Sequence, residues 1–154
     1  MTDLNRKLMI EQLDRKLEKL AVLNDLEISP KGWINAIRTG LNMSLVQLAK
    51  RLRITSASVK EIEQREVDKG ITLKKLMEAA EALNCRFVYG FIPKEGSLEK
   101  TIEKRAYEVT KEIVLRTSHS MKLEDQENST ERINKAIKDR AEKIKYESPK
   151  YLWD

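Results

Sequence analysis

Ser44 to Glu63 reads SLVQLAKRLRITSASVKEIE. Leu48, Ala49 and Leu52 fall on one helical face of its first half, and Val59 and Ile62 on the matching face of its second half. Ile54 lies between the two runs, as a wedge beneath a tight turn. Ser44 and Thr55 each stand just before a helical run, where a hydroxyl accepts a bond from a free first-turn N–H. The pattern predicts a helix-turn-helix, two short amphipathic helices sharing one core. Ala49 is expected where the helices cross most closely, because a larger side chain there would force the axes apart and tilt the second helix.

Once the core is assigned, Ser56, Ala57, Ser58, Lys60, Glu61, Gln64 and Arg65 remain on the outer side of the second helix. A helix entering the major groove reads base edges with its N-terminal residues, and short side chains there let the backbone approach. Serine accepts either base type, Ala57 fits against a thymine methyl, and Glu61 can accept from a cytosine amino group, each good base contact being worth about 1–3 kcal/mol. The same serines would equally serve to solvate an exposed helix. Ser44, Gln47, Arg53, Thr55, Gln64 and Arg65 are expected nearer the DNA backbone.

The chain has 154 residues, 40% hydrophobic and 36% charged, with a formal net charge of +5. That length supports a real core, and the excess of cations favours a polyanion or an anionic surface without naming one. Lys31, Arg38, Lys50, Arg51, Arg53, Lys60, Arg65 and Lys69 are interleaved with the motif, so those at loop and helix ends are candidates for phosphate contact. Cys85 is the only cysteine, which excludes an intrachain disulfide and leaves a buried, inert thiol as the expectation, suited to the cytosol. The opening MTDLNRK has no apolar signal core, and no segment approaches the roughly 20 apolar residues of a membrane span.

Outside the motif, Leu4 to Leu23 reads as a helix with Ile10, Leu13, Leu17 and Leu20 at alternating three and four spacing. That stripe would either join two protomers as a coiled coil or pack on the domain it precedes. Ser29, Pro30 and Gly32 mark a turn, after which Trp33, Ile34, Ile37 and Leu41 are expected in the core and Gly40 at a helix end. Past the Thr72 to Leu83 helix, RFVYGFI is rich in aromatic and β-branched residues and ends at Pro93, so it reads as one strand. A lone strand needs a ladder, either from a second copy in a symmetric homodimer or from a nearby segment of its own chain. A homodimer would set two reading helices about one DNA turn, roughly 34 Å, apart. Ile102, Ala106, Val109 and Ile113 define a further helix, and Ile133, Ile137, Arg140, Ala141 and Ile144 a last one. Between them SHSMKLEDQENST reads as a linker or partner-binding loop. Tyr146, Tyr151 and Trp153 close the chain, either docked on it or anchoring an interface.

Trp33 to Leu83 resembles the Xre or Cro/repressor type of helix-turn-helix domain, in WINAIRTGLNMS, QLAKRL, the helix ending EIEQRE, and TLKKLMEAAEAL. The resemblance implies a phage-repressor-like bundle of five helices. Two positions depart from the pattern. Arg53 replaces the usual turn glycine, so it either accepts a left-handed backbone at about 1 kcal/mol or the turn is rearranged. Leu45 replaces a phosphate-binding glutamine, a role Gln47 would take instead. The expected fold is therefore mainly α: an N-terminal helix over 1–29, the helix-turn-helix domain over 30–84, a single short β-strand for dimer pairing over 85–93, and C-terminal helices with a tail over 94–154.

GWINAIR, EQREVDKGITL, AAEALNCRFVYGFIP and HSMKLEDQ also resemble the family called mobile mystery protein A. This implies a DNA-binding, antitoxin-like partner of a Fic-domain protein, with the alternative of an antitoxin that inhibits that partner directly through its C-terminal region. Some Fic antitoxins carry a short inhibitory helix with Ser or Thr followed four residues on by Glu, and Ser120 and Glu124 fit that spacing although Asp125 departs from it. The chain itself offers no catalytic constellation, no nucleotide-cradling glycine motif and no metal-ligand spacing, and His119 has no partner for a dyad. No catalytic residue, metal or cofactor is expected, and any enzyme would be the partner.

Overall fold

Five helix starts are written in hydroxyls. Thr2, Ser44, Thr55, Thr72 and Ser97 each accept a hydrogen bond from the backbone three residues on, and each precedes an α-helix. In the computed structural model, which describes residues 2–119 and 128–154, the helices are α1 (Asp3–Glu18), α2 (Gly32–Gly40), α3 (Leu45–Leu52), α4 (Ser56–Val67), α5 (Leu73–Ala82), α6 (Leu98–His119) and α7 (Asn128–Glu147), with short 3-10 turns at Ala21–Asp25 and Lys150–Trp153. The chain divides into two units, Asp25–Tyr89, and Met1–Asn24 together with Gly90–Asp154.

In the unit Asp25–Tyr89 the core is Ile34 from α2, Leu48 and Ala49 from α3, Val59 and Ile62 from α4, and Ala79 and Leu83 around α5, with Ile54 and Leu52 packed against it. The expected helix-turn-helix core is thus formed by the expected residues. This unit has four α-helices rather than five, since the chain beyond α5 runs irregularly until Leu98. Trp33 and Leu41 were expected inside but are 41% and 57% exposed. Periodicity marks the face they share with Ile34 and Ile37, and the bundle covers only its middle. Gly40 is the last residue of α2, at the helix end as expected, while the left-handed residue of the turn that follows is Asn42 (φ 54).

The other unit pairs α6 with α7. Lys145, near the end of α7, lies 3.4 Å from both Glu99 and Glu103, at the start of α6, so the helices run antiparallel. Ala106, Val109, Ile144 and Leu152 are buried together, with Ile102 and Ile113 beside them. Leu152 docks the tail on its own unit while Tyr146, Tyr151 and Trp153 stay largely exposed; Arg105 donates to the carbonyls of Leu152 and Asp154. The N-terminal helix ends at Glu18, short of the expected Leu23, and packs on α6. Its Asp14 carboxylate accepts from the backbone N–H groups of Leu98 (2.7 Å) and Glu99 (3.1 Å), capping a helix that starts more than eighty residues later.

The strand expected over 85–93 is not formed. Among the described residues there is no β-ladder, and no backbone group from Arg86 to Ile92 is hydrogen-bonded within the chain. A strand is a property of a pair, and this segment has no neighbour to bond. Cys85, expected buried, is exposed. Among the described residues no helix is long and apolar enough to cross a membrane.

Candidate nucleic-acid interface

The second helix of the motif, α4, is held from behind and bare in front. On its inner side Val59 is fully buried and Ile62 nearly so. Beside them Glu63 accepts from Arg38 (Nε 2.5 Å, Nη2 3.2 Å) and from Asn35 (2.9 Å), while Arg38 also donates to the Met43 carbonyl (2.9 Å). Burial would push the Glu63 carboxyl up, but hydrogen bonds from Arg38 and Asn35 and the Arg38 charge outweigh it and hold the group below its ordinary value. Arg38 is therefore a buried partner of Glu63, in place of the phosphate contact expected of it.

One turn further, the Glu66 carboxylate accepts from the backbone N–H groups of Trp33 (2.7 Å) and Ile34 (2.9 Å). It caps α2, whose own N-cap, Lys31, makes no side-chain cap bond. Gly32 makes room for that carboxylate: it takes φ 83, and a Cβ there would sit 2.8 Å from the Glu66 Cδ. Two acidic groups thus fix the angle of α4 against α2. Neither Glu63 nor Glu66 stood out in the sequence as a positioning residue, because their partners lie 25 to 33 positions away.

On the outer side Ser56, Ala57, Lys60, Glu61 and Gln64 are exposed, a continuous stripe along α4. Thr55 caps the helix, its hydroxyl accepting from Ser58 N (3.1 Å). The Ser58 hydroxyl lies 2.8 Å from that of Thr55, so Ser58 belongs to the cap and is half-buried. Glu61 pairs with Arg65 at 2.5 Å, and Gln64 donates to Asp68 at 3.1 Å. Arg53 adopts the left-handed backbone (φ 55, ψ 43) between α3 and α4, the first of the two alternatives for this turn. Arg53 and Lys60 are exposed and make no ion pair among the described residues. At the start of α3, Ser44 and Gln47 cap each other: Ser44 Oγ accepts from Gln47 N, and Gln47 Oε1 from Ser44 N. Both are exposed, and the amide nitrogen of Gln47 is left over to donate.

The structure therefore brings Ser44, Gln47, Arg53, Thr55, Ser56, Ala57, Lys60, Glu61, Gln64 and Arg65 onto the exposed sides of α3, the turn and α4. The cap of Ser58 and the pairs Glu61 with Arg65 and Gln64 with Asp68 each join residues three or four apart, a spacing readable in the sequence. Ser120 and Glu124 lie outside the described residues.

The family model for helix-turn-helix proteins matches residues 34–89, nearly the whole unit that holds α2 to α5. Over this stretch the chain is similar to helix-turn-helix domains of the Xre/Cro type. No curated protein and no solved structure matches the chain.

Proposed function

We propose that the protein is a sequence-specific DNA-binding transcriptional regulator that acts as a homodimer in the cytosol and represses its own operon. One observation carries this reading: the first turns of α4 offer short, exposed side chains, Ser56 and Ala57, flanked in the chain by the exposed cations Arg53 and Lys60, which make no ion pair among the described residues. Small residues let the helix approach base edges within reach of Lys60, and Arg53 meets the phosphates that flank them. In this reading Ser56, Ala57, Lys60 and Glu61 face bases, with Ser58 acting through the cap, while Ser44, Gln47, Arg53, Thr55, Gln64 and Arg65 lie nearer the backbone. No catalytic role is proposed.

Fluorescence anisotropy with a labelled duplex from the promoter upstream of its own gene tests this. Affinity for that duplex should exceed affinity for a scrambled one and fall with salt, and Arg53→Ala should weaken binding to every duplex and flatten the salt dependence by about one counterion. Equal affinity for both duplexes at physiological salt would reject sequence-specific recognition.

The resemblance to mobile mystery protein A extends the proposal to an antitoxin-like role beside a Fic-domain protein, with direct inhibition through the C-terminal region, including Glu124, as the alternative. Its support is the quoted sequence blocks alone. A purified Fic-domain partner whose nucleotide transfer is the same with the protein, with its Glu124→Ala variant and with neither would end both forms of the idea.

A further inference from the structure

Between α5 and α6 the chain carries a bare, self-complementary ribbon. Among the described residues no backbone N–H or C=O from Arg86 to Ile92 finds a partner, and none of these residues takes a left-handed backbone. Seven residues with both edges free are costly to leave so when they are also apolar. Val88, Tyr89 and Phe91 are 61%, 70% and 82% exposed. Phe87 and Tyr89 stack at 6.2 Å between centroids, as residues two apart do on one face of an extended chain. Continuing that period puts Phe91 on the same face. Gly90 falls on the other, where a Cβ would run into the Leu20 side chain of its own unit. Gly90 alone is approached on that side; on the other, Phe87 is half-buried and the aromatic face is open from Tyr89 on.

We infer that this ribbon pairs with the same ribbon of a second copy of the chain, in an antiparallel register centred on Tyr89. The reading rests on the proposed homodimer for its two-fold axis, and on the ribbon alone for the surface. A closed two-fold pair of strands must run antiparallel. About Tyr89 the aromatic pattern reads the same in both directions, so Phe87 meets the partner's Phe91 and Tyr89 meets the partner's Tyr89. The charge pattern fits a second copy as well. Identical surfaces ordinarily bring like charges together, but Arg86 is the only charged residue between Arg86 and Ile92, and this register places it opposite the partner's Ile92. One strand a side is a small interface, so the dimer is expected to form at micromolar concentration.

Sedimentation of the full chain without DNA tests the surface apart from DNA recognition. The wild type should show a concentration-dependent monomer and dimer. Tyr89→Glu and Tyr89→Lys should each weaken association at least about tenfold, since each sets like charges face to face, and an equimolar mixture of the two should recover the dimer. That rescue requires position 89 to face itself. In a Cys85→Ser background, Tyr89→Cys should oxidise to an interchain disulfide and Arg86→Cys should not, which decides the matter should the charged variants fail to fold by circular dichroism. A wild type that is monomeric at all concentrations, a dimer untouched by folded Tyr89→Glu, or equal cross-linking from 86 and 89 would overturn the inference. Specific promoter binding by such a protein would leave the DNA-binding reading standing, whereas a dimer of the stated register with no preference for promoter DNA would reject that reading and keep this one.

Discussion

Replacing Glu63 with glutamine removes one charge and almost no volume, so its effect isolates what the buried ion pair does for α4. Glu63 and Arg38 are 8% and 9% exposed, and the carboxylate receives three hydrogen bonds, two from Arg38 and one from Asn35. The amide can accept on its oxygen, but its nitrogen would face the guanidinium donor to donor, and Arg38 would keep its charge inside the bundle. Breaking a buried pair in this way costs about 3–5 kcal/mol, and Asn35 and Met43, which still bind the survivors, place the expected value near the lower end, about 3 kcal/mol. Each of the two units contains one of the two tryptophans, so Trp33 fluorescence in a Trp153→Phe background follows urea unfolding of the helix-turn-helix unit. Arg38→Met with Glu63→Leu should recover most of the loss, because neither residue then buries a charge. The pH dependence has a definite sign. The Glu63 carboxyl is held below its ordinary value of 4.5, so its contribution is complete above that value and fades as pH falls through the lowered one. The difference between wild type and Glu63→Gln should therefore shrink on acidification and not on raising the pH. A loss under about 1 kcal/mol at neutral pH would refute the reasoning, since that is the range of a pair bathed in water.

Three more substitutions test the structure elsewhere. Gly32→Ala puts a Cβ against the Glu66 carboxylate and an L side chain at φ 83, and should cost about 2–3 kcal/mol on the same Trp33 signal, through backbone strain and a loosened cap. Arg53→Gly should stabilise that unit by about 1 kcal/mol by relieving the left-handed residue, yet weaken DNA binding and lower its salt dependence by about one counterion. Thr110 is fully buried in α6 and its hydroxyl finds no partner among the described residues, so Thr110→Val should raise the stability of its unit by about 1 kcal/mol, read from Trp153 in a Trp33→Phe background.

What the sequence made legible is what short-range chemistry dictates. Ser44 and Thr55 mark the starts of α3 and α4 because a cap joins neighbours three residues apart, and Leu48, Val59 and Ile62 mark their inner faces because a helix repeats every 3.6 residues. Periodicity shows which way a side chain points and not how far its cover extends, which is why Trp33 and Leu41 lie outside the core. It also says nothing of which distant element supplies that cover. The stripe on α1 left two partners open, a second protomer or the domain that follows, and its partner is α6, to which Asp14 is bound at the far end of the chain.

The same division runs through the candidate interface, where the outward residues of α4 were legible and the groups that aim them were not. An arginine among other cations in a basic motif reads as a phosphate contact, since nothing local distinguishes Arg38 from Lys50 or Arg51. Only the fold reveals that a carboxylate 25 residues on turns Arg38 inward. The consequence bears on any redesign of this protein. In the proposed DNA-binding reading, base preference should be alterable at Ser56, Ala57 and Lys60 without touching the core, whereas the angle of α4 against α2 is set by Arg38, Glu63, Glu66 and Gly32. Substitutions in the second group should weaken binding to every duplex alike, and substitutions in the first should change which duplex is preferred.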